Sequence, residues 1–280
     1  MSSTSAEWRW HTLSATVRGA AHVRSGLPNQ DAVLHEAIAR GAIVAVSDGH
    51  GSEKCFRSHI GSRLAVEIAV GALSEFEVGH ADKPATEVEA DAAHLAGEIV
   101  RRWRAAVSED WTANPITAEE AAVLRHEPVV VYGATLVCAL LAADYLLCLQ
   151  LGDGEILTAS RDSAEVVQPI AADATLIANE TTSLCQPEAE RNFRIRLQTF
   201  DQTPPALILL ATDGYPNSFA TPEGFRQVAS DLLAMLDQEG VEPIAQALPG
   251  WLEEASQQGS GDDVTVAILY APRPTSETRP

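Results

Sequence analysis

Three segments of this chain share one form, a near-continuous apolar run that ends on Asp-Gly. They are Ala42-Ile43-Val44-Ala45-Val46-Ser47-Asp48-Gly49, Leu146-Leu147-Cys148-Leu149-Gln150-Leu151-Gly152-Asp153-Gly154 and Leu207-Ile208-Leu209-Leu210-Ala211-Thr212-Asp213-Gly214. A fourth reads in reverse, where Gly261-Asp262-Asp263 launches the run Val264–Tyr270, and Asn29-Gln30-Asp31 precedes a further strand at Ala32. Short apolar runs of this kind are strands of a core sheet rather than half-exposed ones, because both faces of the pleat are apolar. Such strands need cover on either side. The chain is thereby constrained to stacked layers, with the aspartates held rigidly where the strands end.

The rest of the pattern supplies the cover. The N-terminal stretch 7–17 alternates as a strand does, and the polar segment 19–31 reads as a loop with Gly26-Leu27-Pro28-Asn29 as its turn. After Asp48-Gly49 the period changes. Phe56, Ile60, Leu64 and Ile68 fall four apart, which predicts a helix from Ser52 as N-cap to about Gly71. Leu95, Ile99, Trp103 and Val107 predict a second helix over about 87–107, with polar connectors at 76–86 and 108–127. Strand character returns over 129–141, 145–151 and 156–160, with Asp144 and Asp153-Gly154 where hairpin turns belong. Residues 161–190 are irregular and read as a surface excursion. Strands at 191–200 and 206–211 follow, then helices at about 222–238 and 241–257 and a last strand at 264–270. The Pro/Ser/Thr-rich tail at 272–280 is expected to fray. Strands joined mostly to their neighbours, with helices in pairs, fit mixed sheets with helix pairs packed outside them better than an alternating β-α wind.

Composition excludes several classes. The 280 residues are 46% hydrophobic and 21% charged, ordinary globular values that rule out wholesale disorder. Thirty-nine acids against 19 bases give a net charge of −20, which disfavours nucleic acid as a partner. The longest apolar stretch, 129–143, is too short and too broken by Gly133 and Thr135 to span a bilayer, and Glu7-Trp8-Arg9 interrupt any leader-like start. No membrane association is expected, and the cytoplasm is the expected location. The four cysteines, Cys55, Cys138, Cys148 and Cys185, show neither metal-ligand nor redox spacing.

Any one Asp-Gly after a strand reads most simply as a hairpin turn. Asp48 and Asp213, however, are each followed by a helix, so neither closes a simple hairpin. Carboxylates gathered at strand ends repel one another, and a divalent cation is the natural compensation. Hard oxygen donors select Mg²⁺ or Mn²⁺ over zinc. Gly49 would let a backbone carbonyl approach such an ion.

At this level of detail the chain resembles the metal-dependent type 2C Ser/Thr protein phosphatases, the PPM family. The matching segments, in order, are Asn29-Gln30-Asp31, Val46-Ser47-Asp48-Gly49-His50-Gly51, Gly133-Ala134-Thr135-Leu136, Leu151-Gly152-Asp153, Ala211-Thr212-Asp213-Gly214 and Gly261-Asp262-Asp263-Val264-Thr265. Each is weak alone, but their order and spacing across 14–270 are specific. The resemblance implies an α+β fold, two packed antiparallel β-sheets flanked by pairs of antiparallel α-helices, a four-layer αββα sandwich. It implies one phosphatase domain over 1–280 with a core at about 8–271 and a flap at 161–190. It also implies a binuclear Mn²⁺ or Mg²⁺ centre, with Asp48 bridging, the Gly49 carbonyl on one ion, Asp213 and Asp262 completing the set, and Asp31 binding an ion or orienting its waters. Asp153 would serve a weak third ion. Thr135 and Gly133 would pack the sheet beneath the site.

The implied reaction is hydrolysis of phosphoserine or phosphothreonine in a protein substrate, opposed to a cognate kinase. An inactive phosphatase-like module that binds a phosphoprotein is the alternative, and a small-molecule phosphatase a third reading. The chain departs from the family pattern in several places. Gly26 stands where many members carry a phosphate-binding Arg, for which the nearby Arg24 is a candidate substitute. Gln30 stands for a common Glu, Asn217 for Asp, Asp263 for Asn, and Gly154-Glu155 for Ser-Arg. Among the eight histidines, all at or before His126, His50 is the one whose place in the sequence puts it at the site, as a candidate substrate contact. Because neighbouring residues of a strand point to opposite faces, Asp262 and Asp263 are not expected to bind the same ion; motif position makes Asp262 the ligand.

Overall fold

The computed structural model describes residues 10–81, 83–124, 127–163, 165–171, 181–200 and 203–273. Within them lie ten strands and six α-helices: β1 (His11–Val17), α1 (Ala20–Ser25), β2 (Ala32–Ile38), β3 (Gly41–Ser47), α2 (Ser58–His80), α3 (Ala85–Ala113), α4 (Ala118–Val123), β4 (Leu136–Leu141), β5 (Tyr145–Leu151), β6 (Glu155–Ala159), β7 (Val166–Val167), β8 (Arg194–Thr199), β9 (Leu207–Ala211), α5 (Pro222–Glu239), α6 (Val241–Gln258) and β10 (Val264–Tyr270). The strands form two five-stranded sheets, ordered β1-β10-β9-β6-β7 and β2-β3-β4-β5-β8, with antiparallel pairing throughout.

Alternation along the apolar strands divides their side chains between two cores. In β3, Ala42, Val44 and Val46 point to the opposite sheet, where they meet Ile208 and Leu210 of β9 and Ala267 and Leu269 of β10. Ile43 and Ala45 of the same strand point the other way, under α2 and α3, among Leu73, Ile99 and Trp103. The second sheet mirrors this. Leu207, Leu209 and Ala211 pack against Phe225, Leu232 and Leu236 of α5 and Leu248 and Leu252 of α6. Helix pair, sheet, sheet and helix pair are thus the four layers expected from the sequence.

The boundaries differ in instructive ways. The segment after Gly51 begins with a one-turn 3₁₀ helix, Glu53–Cys55, which Ser52 heads without capping it through its side chain. Helix α2 proper starts at Ser58 and runs past Gly71 to His80, since nothing lies within 4 Å of where a Gly71 Cβ would stand and no turn is required there. The connector after α3 holds α4, opened by a reciprocal Thr117–Glu120 capping box. Pro128–Tyr132, expected as strand, is a 3₁₀ turn, and β4 starts only at Leu136. Tertiary contacts decide this: the Arg57 amide donates to the Val131 carbonyl, and the Arg57 guanidinium donates to the Tyr132 hydroxyl and to Glu120.

The largest correction concerns Asp153-Gly154. It does not close a hairpin. Strands β5 and β6 belong to different sheets, so Gly152-Asp153-Gly154 carries the chain from one layer to the other, with Gly152 at φ +101°. The excursion expected at 161–190 lies partly outside the described residues, as do the start of the first strand and most of the tail. Among the described residues no helix is long and apolar enough to cross a membrane.

Trp103 ties the outer helix to the inner one. It is fully buried, and its indole Nε1 donates to the Gly61 carbonyl of α2 at 2.9 Å. Gly61 in turn allows Tyr132 to pass so close that a Cβ would stand 1.8 Å from the Tyr132 carbonyl oxygen. Trp103→Ala is therefore expected to lower the unfolding free energy by about 3–5 kcal/mol, the usual cost of emptying a large aromatic site. Urea denaturation checks this, and a loss no larger than that of a surface substitution would contradict the packing described.

Candidate active site

Five strand-end segments converge at one end of the two sheets. Asp48 follows β3 and is clamped through its backbone: its N–H donates to Thr135 Oγ1 at 3.1 Å, and its carbonyl accepts the Thr135 N–H at 2.8 Å. The Ser47 hydroxyl donates to the Thr135 carbonyl. Thr135 thus braces the carboxylate's backbone from the neighbouring strand, and Gly133 leaves room for His50, whose Cδ2 would lie 2.7 Å from a Cβ at that position. Gly49 comes next. A Cβ here would stand 2.6 Å from the Gln30 carbonyl oxygen and 2.8 Å from that of Ser58. Among the described residues the Gly49 carbonyl accepts no hydrogen bond.

Asp213 and Asp262 come from the other sheet. Thr212, after β9, is locked to Thr265 of β10 by paired backbone and side-chain bonds. Asn217 donates from Nδ2 to Asp213 Oδ2 at 3.0 Å and from its amide to the Asp213 carbonyl at 2.9 Å. Gly214 passes so near the strand start that a Cβ would meet the Asp263 carbonyl oxygen at 2.0 Å. Asp262 precedes β10, and its Oδ1 accepts the Asp263 N–H at 2.8 Å.

Asp48, Asp213, Asp262 and the exposed Asp153 line one open cleft of about 1350 Å³, together with His22, His50 and Lys54. Asp31 stands behind it: its Oδ2 accepts the Thr212 hydroxyl at 2.7 Å, so it braces the strand that carries Asp213. Arg24, the candidate phosphate contact, is exposed on α1 and does not line the cleft.

Two residues that the sequence pattern did not single out as site builders stand out in the structure. Asp263 turns away from the cleft and is buried. Its Oδ1 accepts the Gly19 N–H at 2.5 Å and its Oδ2 the Gln30 N–H at 2.6 Å. It therefore joins the final strand to the loop that carries Asp31. His22 of α1 lies on the cleft, with Nδ1 2.9 Å from Asp263 Oδ2. Nδ1 makes no hydrogen bond among the described residues, so the contact is a close approach of ring to carboxylate. His22 sits in a stretch that reads as a loop, with no motif around it, and only its contact with a residue 241 positions away reveals it.

The electrostatics are those of crowded carboxylates. Burial, and then the charges of Asp31, Asp213, Asp262 and Asp153, hold the Asp48 carboxyl well above the usual range. Burial raises Asp31 to about 8 and Asp213 to about 7, with neighbouring aspartates adding to both. Asp262 is raised by burial too, partly offset by the Asp263 amide. His50 is lowered by burial. Among the described residues no group of three or more His, Cys, Asp or Glu side chains stands arranged to hold a metal ion. The donor set nevertheless fits a hard divalent cation: four carboxylates on one cleft, Asp48, Asp153, Asp213 and Asp262, and a Gly49 carbonyl that accepts no hydrogen bond among the described residues.

These raised values carry a sign. A carboxyl raised in the fold binds more protons there than in the unfolded chain, from about pH 4 up to its folded value, so its contribution to stability is full below about pH 4 and lost as pH rises through the folded value. For Asp31 and Asp213 the loss is spread from about pH 4 upward and is complete near pH 8 and 7; half-buried Glu155, raised to about 7, adds in the same sense. Glu120, lowered to about 2 by Arg57, changes only at far lower pH. EDTA-treated protein should melt at a lower temperature at pH 8 than at pH 5, and Asp48→Asn should flatten that fall. A Tm that rises over this window would contradict the crowding.

The chain matches the family described as protein phosphatase 2C over residues 18–253. It belongs to that family, and so to the metal-dependent Ser/Thr protein phosphatases. Among solved structures, the catalytic domain of the serine/threonine phosphatase PstP in complex with two manganese ions is 20% identical at a TM-score of 0.57, with 94% of this chain and 98% of that one covered. Stp1 from Staphylococcus aureus is 15% identical at 0.59, covering 97% and 98%. PppA of Pseudomonas aeruginosa is 16% identical at 0.58, covering 94% and 97%. At these identities the likeness speaks for the fold. No curated protein matches the chain.

Proposed function

We propose that this protein hydrolyses phosphoserine or phosphothreonine in proteins at a binuclear Mn²⁺ or Mg²⁺ centre built on Asp48, Gly49, Asp213 and Asp262. The observation that carries the reading is the convergence of Asp48 from one sheet with Asp213 and Asp262 from the other on a single open cleft. Two ions are proposed because two manganese ions are bound in the PstP catalytic domain and because Asp48 is close enough to Asp31, Asp213, Asp262 and Asp153 to feel the charge of all four. When bound, the ions supply Lewis-acid activation of water for in-line attack on phosphorus.

The chain's own residues supply position. Thr135 fixes the backbone of Asp48, Thr212 and Thr265 fix that of Asp213, and Asp31 braces Thr212 through its carboxylate. The cleft is open and polar, which suits a phosphorylated segment of protein better than a small metabolite that must be enclosed. The substrate is accordingly a phosphoprotein, with a kinase acting on the same residue as the counterpart, and the cytoplasm is the proposed location. Asp153, on the crossing between the sheets, and Asn217 face the same cleft. With its amide turned to donate to Asp213, Asn217 offers a cation little, so a third ion there binds weakly.

Hydrolysis of a phosphopeptide should require added Mn²⁺ or Mg²⁺ and stop with EDTA; full activity in metal-stripped protein would refute the proposal. Asp48→Asn and Asp213→Asn should each lower kcat by about 10²-fold or more while the protein stays folded, because each removes an ion-holding carboxylate. If a third ion contributes, Asn217→Asp should move the Mn²⁺ dependence of the rate to lower concentration and Asp153→Asn should remove the late rise. A dependence that neither substitution alters would exclude a third site.

A further inference from the structure

A cleft lined by Asp48, Asp153, Asp213 and Asp262 repels a phosphate dianion, so the substrate needs a donor fixed on the cleft wall. The sequence offered Arg24, which is exposed and does not line the cleft. Three side chains able to carry positive charge do line it: His22, His50 and Lys54. Lys54 is exposed, and among the described residues neither it nor His50 makes a side-chain hydrogen bond. His22 alone is anchored. Its side chain is 11% exposed, and its Nδ1 lies 2.9 Å from Oδ2 of Asp263, a carboxylate itself only 2% exposed and pinned by the Gly19 and Gln30 amides. The ring's other nitrogen, Nε2, lies 3.5 Å from where a Cβ on Gly51, another cleft residue, would stand, as does Gln30 Oε1. Among the described residues no protein group hydrogen-bonds Nε2.

We propose that His22, oriented by Asp263, is the phosphate-binding residue of this cleft, donating from Nε2 to a phosphoryl oxygen of the substrate. The inference rests on the phosphatase reading above and gives it a residue for substrate recognition. With substrate bound, Nε2 donates to a phosphoryl oxygen while the Nδ1 side of the ring stays against Asp263, which fixes where the donor stands. Asp263 acts through His22 and is a positioning residue.

Two substitutions separate this role from a structural one, because an Asn amide nitrogen falls near Nδ1 of a histidine and a Gln amide nitrogen near Nε2. His22→Asn keeps the contact with Asp263 and removes the donor to phosphate. His22→Gln keeps that donor and gives up the contact. In the full-length, Mn²⁺-loaded protein, His22→Asn is expected to weaken binding of inorganic phosphate by calorimetry, and to raise KM for p-nitrophenyl phosphate, by about tenfold or more, the worth of one hydrogen bond to a charged group. Its Mn²⁺ isotherm and Tm should match wild type, and His22→Gln should recover part of the phosphate affinity. A residue that only props the loop gives the reverse ranking, with His22→Gln the worse variant and the loss appearing in Tm; that result overturns the assignment. So does a loss of Mn²⁺ affinity in His22→Asn, which would make His22 a metal ligand. If wild type hydrolyses the ester and His22→Asn is unaffected, this inference falls and the phosphatase reading stands. If wild type binds phosphate through His22 without hydrolysis, the binding site stands and that reading falls; absence of both phosphate binding and hydrolysis refutes both.

Discussion

Asp48, Asp213 and Asp262 stay together because the strands that carry them cannot move apart. Ala42, Val44 and Val46 on one sheet and Ile208, Leu210, Ala267 and Leu269 on the other form the dry layer between the sheets. Separating the carboxylates by sliding the sheets would expose that layer to water, at a cost that grows with the apolar area uncovered. The cost of burial first, and then of the repulsion among the acids, is therefore borne by the fold and shows itself as raised carboxyl pKa values instead of as displacement. A cation in their midst would relieve the strain and stabilise the metal-loaded protein at neutral pH.

Asp263 has the complementary task. One residue beyond Asp262, it faces inward, as strand alternation requires, and accepts the amides of Gly19 and Gln30 while facing His22. Helix α1 in the segment between β1 and β2 buries no residue, and its start is tied by the Ala20 amide to Ser256 and the Ala21 amide to the Gly261 carbonyl. The carboxylate thus fixes the approach to Asp31 and one wall of the cleft together. An asparagine in its place would have one oxygen acceptor for two amides, so the acid here and the histidine beside it are best understood as a matched pair.

The departures from the family pattern gain meaning in this setting. Asn217 is bonded to Asp213 and steadies a carboxylate instead of adding one. Gln30 donates from its side chain to the Ser58 hydroxyl, and its backbone carbonyl accepts from Gly49 and Ser62, so it serves the junction between the site and α2. Glu155, held by Gln168 beside the crossing, is half-buried, and its burial raises it to about 7. None of these changes replaces Asp48, Asp213 or Asp262.

The apolar runs ending on Asp-Gly determined the layers and the family, because a strand buried on both faces admits few arrangements and because Asp48, Asp213 and Asp262 keep motif spacing. Helical periods at 56–68, 95–107 and 225–252 placed the covering helices for the same reason: an apolar stripe is a local property. The ends of elements were less legible. Pro128–Tyr132 has strand-like residues, yet its contacts with Arg57 make it a turn, and such contacts are invisible to local periodicity. Asp153-Gly154 has the chemistry of a hairpin, and only the assignment of β5 and β6 to different sheets makes it a crossing. His22 and Asp263 show the limit most plainly. Their contact spans nearly the whole chain and leaves no local signature, so the sequence alone marked Asp48, Asp213 and Asp262 as strand-end carboxylates, while the tertiary structure decided that they meet on one cleft and that His22 stands there against Asp263.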